Sequence, residues 1–183
     1  MTQLLDPPTA LPTISDDERA ARLNAAGAAW SERIAASPAN AQLKTRVSGR
    51  AVGSVATEIR AGAHRFLVDE PAGLAGDDAA PSPVEYALGA LVSCQVVVFR
   101  LYAQALGLTI DELEITAEGD LDVRKIFGID ESVRAGFQGV RVSVEITGPN
   151  TPEEYENLRQ IVDAHCPVLD IFENPVPTTG ALV

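Results

Sequence analysis

At 183 residues the chain is about one domain long. Its composition, 46% hydrophobic, 22% charged and 5% aromatic, is that of a globular protein and excludes a disordered tail, a collagenous fibre and a disulfide-dense scaffold. The 26 acidic residues against 14 basic ones leave a net charge of −12, which argues against nucleic acid and anionic membrane surfaces as partners.

Residues 1–14 hold three prolines and no hydrophobic period, and read as a loose leader. They lack a basic stretch followed by an apolar run, so no secretory signal is expected. Ser15-Asp16-Asp17-Glu18 fits a capping box. Leu23, Gly27, Trp30 and Ile34 recur behind it at helical spacing. This predicts an amphipathic helix from 16 to about 36, anchored by Trp30 and ended at Ser37-Pro38. Residues 1–40 are taken as a leader and helical extension, and 41–183 as the main domain.

From Leu43 to Val68, β-branched residues alternate with polar ones, with Gly49 and Gly53 as punctuation. Two or three antiparallel strands are expected, with a turn over Arg60 to His64. The Gly-, Asp- and Pro-rich stretch from Asp69 to Pro81 is a loop. Ser82-Pro83-Val84-Glu85 then opens a helix by capping box and N1 proline. It runs to about Leu106, where Gly107 stops it. Tyr86 to Phe99 is apolar nearly all round, so the helix should be buried on most sides, by sheet or by a second subunit. This longest uncharged run is too short to span a bilayer.

Residues 113–123 alternate: Leu113, Ile115, Ala117, Leu121 and Val123 share one face, and acidic residues and Thr116 the other. They predict a strand with one wet face. Arg124 to Phe137 is irregular, and Val140, Val142, Val144 and Ile146 mark a second strand. Thr151-Pro152-Glu153-Glu154 opens a helix to about Ala164, with Tyr155, Leu158, Val162 and Cys166 on one face. Pro167 breaks that helix or begins a new turn. The tail, with Pro175 and Pro177, is expected to end as a short edge strand. Antiparallel strands interrupted by helices indicate an α+β domain.

No G-x-S-x-G elbow, P-loop, G-x-G-x-x-G or C-x-x-C occurs. A zinc site would need His64 and His165 together with both cysteines, or carboxylate help. On a helix His165 and Cys166 diverge by about 100°, so no metal is expected. Cys94 and Cys166 are the two cysteines, either two core thiols or a redox pair. Cys94 lies about three turns inside its helix, out of reach of that helix's dipole. A lowered thiol pKa would need a cation from elsewhere in the fold.

Pro83-Val84-Glu85-Tyr86-Ala87-Leu88-Gly89-Ala90-Leu91-Val92-Ser93-Cys94 resembles the central-helix signature of OsmC-like proteins, the osmotically induced and organic hydroperoxide resistance proteins. Asp69-Glu70-Pro71 is similar to the segment before that helix, and Cys166-Pro167-Val168 to the family's second cysteine motif. Gly119-Asp120-Leu121-Asp122 and Ala135-Gly136-Phe137 also resemble it, and the likeness covers roughly residues 43–183.

The resemblance implies antiparallel sheets packed around a long central helix in an interlocked homodimer, with the active site at the subunit interface. It implies a cytoplasmic, thiol-dependent hydroperoxide reductase that uses no metal, flavin or haem. Cys94 would be peroxidatic and Cys166 resolving. A dithiol of lipoyl or thioredoxin type would regenerate the pair. The family's thiolate-stabilising arginine is best matched by Arg50 of Gly49-Arg50, with Arg46, Arg60 and Arg65 as rivals.

One departure stands out. Val84 occupies the place of the glutamate that orients this arginine in the organic hydroperoxide branch. Glu85 is expected to cap Ser82 instead, and Asp69 and Glu70 are the candidate substitutes. Two other functions fit the same chain: a non-catalytic dimer that binds a small apolar ligand, and a sulfur-transfer enzyme with a Cys94 persulfide that does not need Cys166.

Overall fold

A computed structural model describes residues 11–182; the first ten residues of the expected leader lie outside the described residues. The chain divides into two compact units, Met1–Leu43 and Lys44–Val183.

In the first unit, α1 spans Asp16–Ala36 and a 3-10 turn follows at Pro38–Ala41. The Ser15 hydroxyl accepts from the Glu18 N–H as expected. The other half of the predicted box is absent, because the Glu18 carboxylate pairs with Arg22 one turn on. No residue of α1 is buried. Trp30 is not a core anchor; the Arg33 guanidinium lies 4.4 Å over its ring.

In the second unit, β1 (Val47–Val52), β2 (Ala56–Ala61) and β3 (His64–Val68) form an antiparallel meander. The turn expected over Arg60 to His64 is tighter, and Gly62 takes a left-handed φ of 60° at its centre. The loop that follows wraps around the buried Asp69 carboxylate, which accepts the N–H groups of Asp77 (3.0 Å) and Ala79 (3.1 Å). Gly76 presses so closely on this loop that a Cβ there would lie 1.7 Å from the Glu70 carbonyl oxygen.

Helix α2 runs Pro83–Leu106. Ser82 and Glu85 form the full capping box, and Gly107 ends the helix in the left-handed region at φ 69°. The Tyr86 hydroxyl donates to the Leu67 carbonyl (2.9 Å) and the ring lies 5.1 Å from Phe66, tying β3 to the first turn of α2.

β4 (Glu112–Asp120) and β5 (Gly139–Thr147) pair antiparallel, placing Leu113, Ile115 and Ala117 opposite Ile146, Val144 and Val142. β4 ends before Leu121, although the alternation continues to Val123. There the Asp122 and Asp130 carboxylates turn the chain around Arg124. Phe137 lies against Gly119, where a Cβ would meet its ring at 2.5 Å. α3 (Pro152–His165) starts with a complete Thr151–Glu154 capping box. α4 (Pro167–Glu173) follows at once. No strand follows α4 among the described residues, so the expected edge strand is not formed.

The core joins Val98, Phe99 and Ala103 of α2 to Ile115 of β4 and to Tyr155, Leu158 and Val162 of α3. α2 is long and apolar enough to cross a membrane by length and composition. The uncharged run alone understated this, since Arg100 is one charge in an otherwise apolar helix. Its composition predicted burial on most sides, by sheet or by a second subunit; the chain itself covers only part of the helix. Leu91, Gln95, Val98, Phe99 and Ala103 are buried, whereas Ala90, Ser93, Val97 and Leu101 form an exposed stripe at helical spacing.

Candidate active site

Cys94 occupies the border between those two faces. At 100° per residue it lies between the exposed Val97–Leu101 stripe and the buried Val98, and it is half-buried. Cys166 sits between α3 and α4 and is 2% exposed. The placement follows from Pro167. A residue before proline is driven out of the α region, and Cys166 is extended at φ −83°, ψ 109°. That single extended residue ends α3, caps α4 and belongs to the core that Cys94 packs against.

Both thiols are free, and Cys94 packs against the core cluster to which Cys166 belongs. Burial pushes the Cys94 thiol above its ordinary pKa, and the neighbouring Cys166 adds to the rise. The Val168 N–H acts in the opposite direction by bonding to Cys94 and favouring the thiolate. Val168 is the second residue of α4, so its N–H has no partner within the helix. Thus the Cys-Pro-Val block supplies both the second sulfur and a donor to the first. α2's own dipole does not reach Cys94, but α4 offers what α2 cannot.

Arg50 is not among the groups that set Cys94's protonation. It lies in β1, 75% exposed, with Nη2 2.8 Å from Glu58 Oε2 on β2. Glu58 Oε1 is also 3.7 Å from Arg65 Nη1 of β3. The register sets this trio: Arg50 faces Glu58 across β1–β2, and Arg60 faces Arg65 across β2–β3. Cross-strand neighbours share a sheet face, so Arg50, Glu58, Arg60 and Arg65 lie on one face, and two of the arginines pair with the one acid. Glu58 is held below the usual carboxylate range, first by its hydrogen bond from Arg50.

The acid that holds Arg50 is therefore Glu58, not either of the two expected substitutes. The Asp69 carboxylate is engaged by loop amides, and the Glu70 carbonyl takes the Asp78 N–H. Glu85 accepts from the Ser82 N–H and hydroxyl, both at 2.7 Å, as expected of a capping residue. His165 lies 4.7 Å from the Tyr102 ring, with Nδ1 2.7 Å from the Ile161 carbonyl. His64 begins β3 and is exposed. A cavity of about 520 Å³ between α2, β5 and α3 is lined by Phe99, Val144, Ile146 and Tyr155, with neither cysteine on its wall.

The OsmC-like protein family matches residues 76–180, more than half of the chain. Among solved structures, an OsmC-like protein from Mycoplasma pneumoniae is 18% identical, with a TM-score of 0.63 over 73% of this chain and 90% of that one. An organic hydroperoxide resistance protein from Legionella pneumophila is 21% identical, with a TM-score of 0.57 over 73% and 91%. One from Elizabethkingia anophelis, with crystallant-derived thiocyanate bound, is also 21% identical, with a TM-score of 0.55 over 73% and 91%. At these identities the likeness is one of fold. No curated protein sequence matches the chain.

Proposed function

The chain belongs to the OsmC-like protein family, and we propose that it is a thiol-dependent hydroperoxide reductase with Cys94 as the peroxidatic and Cys166 as the resolving residue. The observation that carries this reading is that Cys94 packs against the core cluster that holds Cys166, with Val168 packed there too.

In the first step the Cys94 thiolate attacks the distal oxygen of a hydroperoxide. The S–O bond forms as the O–O bond breaks, and the leaving alkoxide takes a proton to become an alcohol. Cys94 is left as a sulfenic acid. Cys166 then attacks that sulfur; the hydroxyl leaves with a proton as water and a disulfide remains. An external dithiol, of lipoyl or thioredoxin type, reduces the disulfide by exchange.

The first step needs a cation beside Cys94, because burial disfavours the thiolate. We assign that cation to Arg50 of a second copy, held by Glu58 in the role that Val84 cannot fill. The exposed Ala90–Leu101 stripe supports this arrangement, since a copy seated there would lie next to Cys94. An exposed apolar stripe is also a natural subunit contact. An apolar thiol neighbourhood favours organic hydroperoxides over hydrogen peroxide.

The raised Cys94 pKa also favours a second reading, a non-catalytic dimer that binds a small apolar ligand. Reduced protein treated with one equivalent of cumene hydroperoxide separates the two by intact mass and free-thiol count. The reductase loses two hydrogens rapidly, Cys94→Ser does not react, and Cys166→Ser stalls as a sulfenic acid or over-oxidises. Both thiols surviving for minutes would leave the binding protein. Sustained turnover of sulfur donors by Cys166→Ser would point to sulfur transfer.

A further inference from the structure

One buried polar side chain next to the thiols has no part in the mechanism above. Gln95 follows Cys94 on α2 and is 2% exposed. Its Nε2 donates to Asp163 Oδ1 of α3 at 3.3 Å. The other Asp163 oxygen pairs with Arg159, one turn back on α3. Gln95 Oε1 is buried and has no hydrogen-bond partner among the described residues. The amide is oriented by Asp163, because turning its oxygen toward the carboxylate would set two acceptors face to face.

An unpartnered buried amide oxygen weakens a fold. A leucine of similar size would suit this apolar core helix better. Stability therefore does not account for glutamine at 95, but its position does. Gln95 follows Cys94 on α2, and Asp163 lies in the last turn of α3, three residues before Cys166. Their bond is a polar link between the helix that carries Cys94 and the helix that Cys166 ends.

We propose that Gln95 is a positioning residue: with Asp163 it forms a strut that holds α3 against α2 at the separation where Cys166 can reach an oxidised Cys94. The proposal rests on the redox-pair reading above. Disulfide closure requires Cβ atoms about 4 Å apart in a narrow range of torsions, and a displacement of about 1 Å can slow a step a hundredfold. Peroxide attack on Cys94 draws on the Val168 N–H of α4 but needs no approach of the Cys166 sulfur. The strut should thus govern the second step far more than the first.

The test treats the full chain, reduced, with one equivalent of cumene hydroperoxide. Samples quenched over time are read by dimedone trapping of the sulfenic acid and by intact mass for the disulfide. Gln95→Leu and Asp163→Ala are expected to lose the Cys94 thiol within about twofold of the wild-type rate. Both should close the disulfide about tenfold more slowly and accumulate the dimedone adduct. Asp163→Asn keeps an acceptor oxygen and should restore closure. Gln95→Leu should melt no lower than wild type, which separates positioning from loss of packing.

Closure at the wild-type rate in Gln95→Leu and Asp163→Ala would overturn the strut. If Gln95→Leu does not fold, Asp163→Ala, at a half-buried position on α3, gives the same comparison. A wild-type protein that never closes the disulfide would overturn the redox-pair reading and the strut with it.

Discussion

The apolar stripe of α2 predicts a second copy, and its strength can be worked from two side chains. Val97 is 56% and Leu101 40% exposed. Burying a whole Val or Leu side chain contributes about 2 kcal/mol. Covering the exposed parts gives about 1.1 and about 0.8 kcal/mol, or about 2 kcal/mol per chain. In a two-fold dimer each residue acts twice, so the pair accounts for about 4 kcal/mol, roughly a thousandfold in Kd.

The perturbation is Val97→Gln with Leu101→Gln. Glutamine is a good helix former, and both positions face outward, so the single chain should fold as before. Sedimentation velocity over a dilution series gives the dissociation constant. The double variant is expected to dissociate roughly a thousandfold more readily, and more still if the amides go unpaired. Its peroxide turnover should fall with dissociation and recover at high concentration if, as proposed, the other copy supplies Arg50. A Kd within threefold of wild type would refute the assignment of the stripe as the subunit contact. So would a wild-type protein that sediments as a monomer at micromolar concentration.

Two further outcomes follow from protonation. Burial raises the Cys94 pKa in the isolated chain. The rate of Cys94 alkylation by iodoacetamide in the dissociated double variant should therefore still be climbing above about pH 8.5, the ordinary thiol value. In the proposed dimer of the wild type the midpoint should lie lower, because the guanidinium assigned to the site would favour the thiolate; equal midpoints would remove Arg50 from the site. Asp69 is held below the usual carboxylate range, first by the Ala79 N–H. Its folded pKa lies below its unfolded one, so its stabilisation is full above about pH 5 and lost as pH falls through the folded value. The difference in Tm between wild type and Asp69→Asn should be constant from about pH 5 to 8 and close in stronger acid. A difference that persists there would show that the amide contacts do not depend on charge.

Local features were legible because their causes are local. The Ser82–Glu85 and Thr151–Glu154 boxes involve residues three apart, and both form as read. The alternation over β4 and β5 places one side of each strand inward, and the structure keeps that facing. Where the end of an element is decided by its neighbours, the reading slipped. β4 stops at Asp120 because Arg124 gathers Asp122 and Asp130 around itself, which no period reveals. Among the described residues the tail after α4 forms no edge strand; Pro175 and Pro177 there have no N–H to give to a ladder.

The site divides in the same way. The two cysteines stood out by sequence alone, since each lies in a motif of adjacent residues: Cys94 in an apolar helix and Cys166 before a proline. Their packing in one cluster across 72 positions, with Val168 beside them, the Gln95–Asp163 bond and the choice of Glu58 for Arg50 did not. Glu58 was accessible in principle through the hairpin register around Gly53, which places it opposite Arg50. The others depend on how α2, α3 and α4 pack, and packing answers to the whole core. Sequence by itself determined where α1, α2 and α3 begin, which faces are apolar and which two sulfurs are the candidates for chemistry, because these follow from neighbours along the chain. Only the tertiary structure decided which charges meet and which face of α2 stays uncovered, because those depend on residues distant in sequence being brought together by burial.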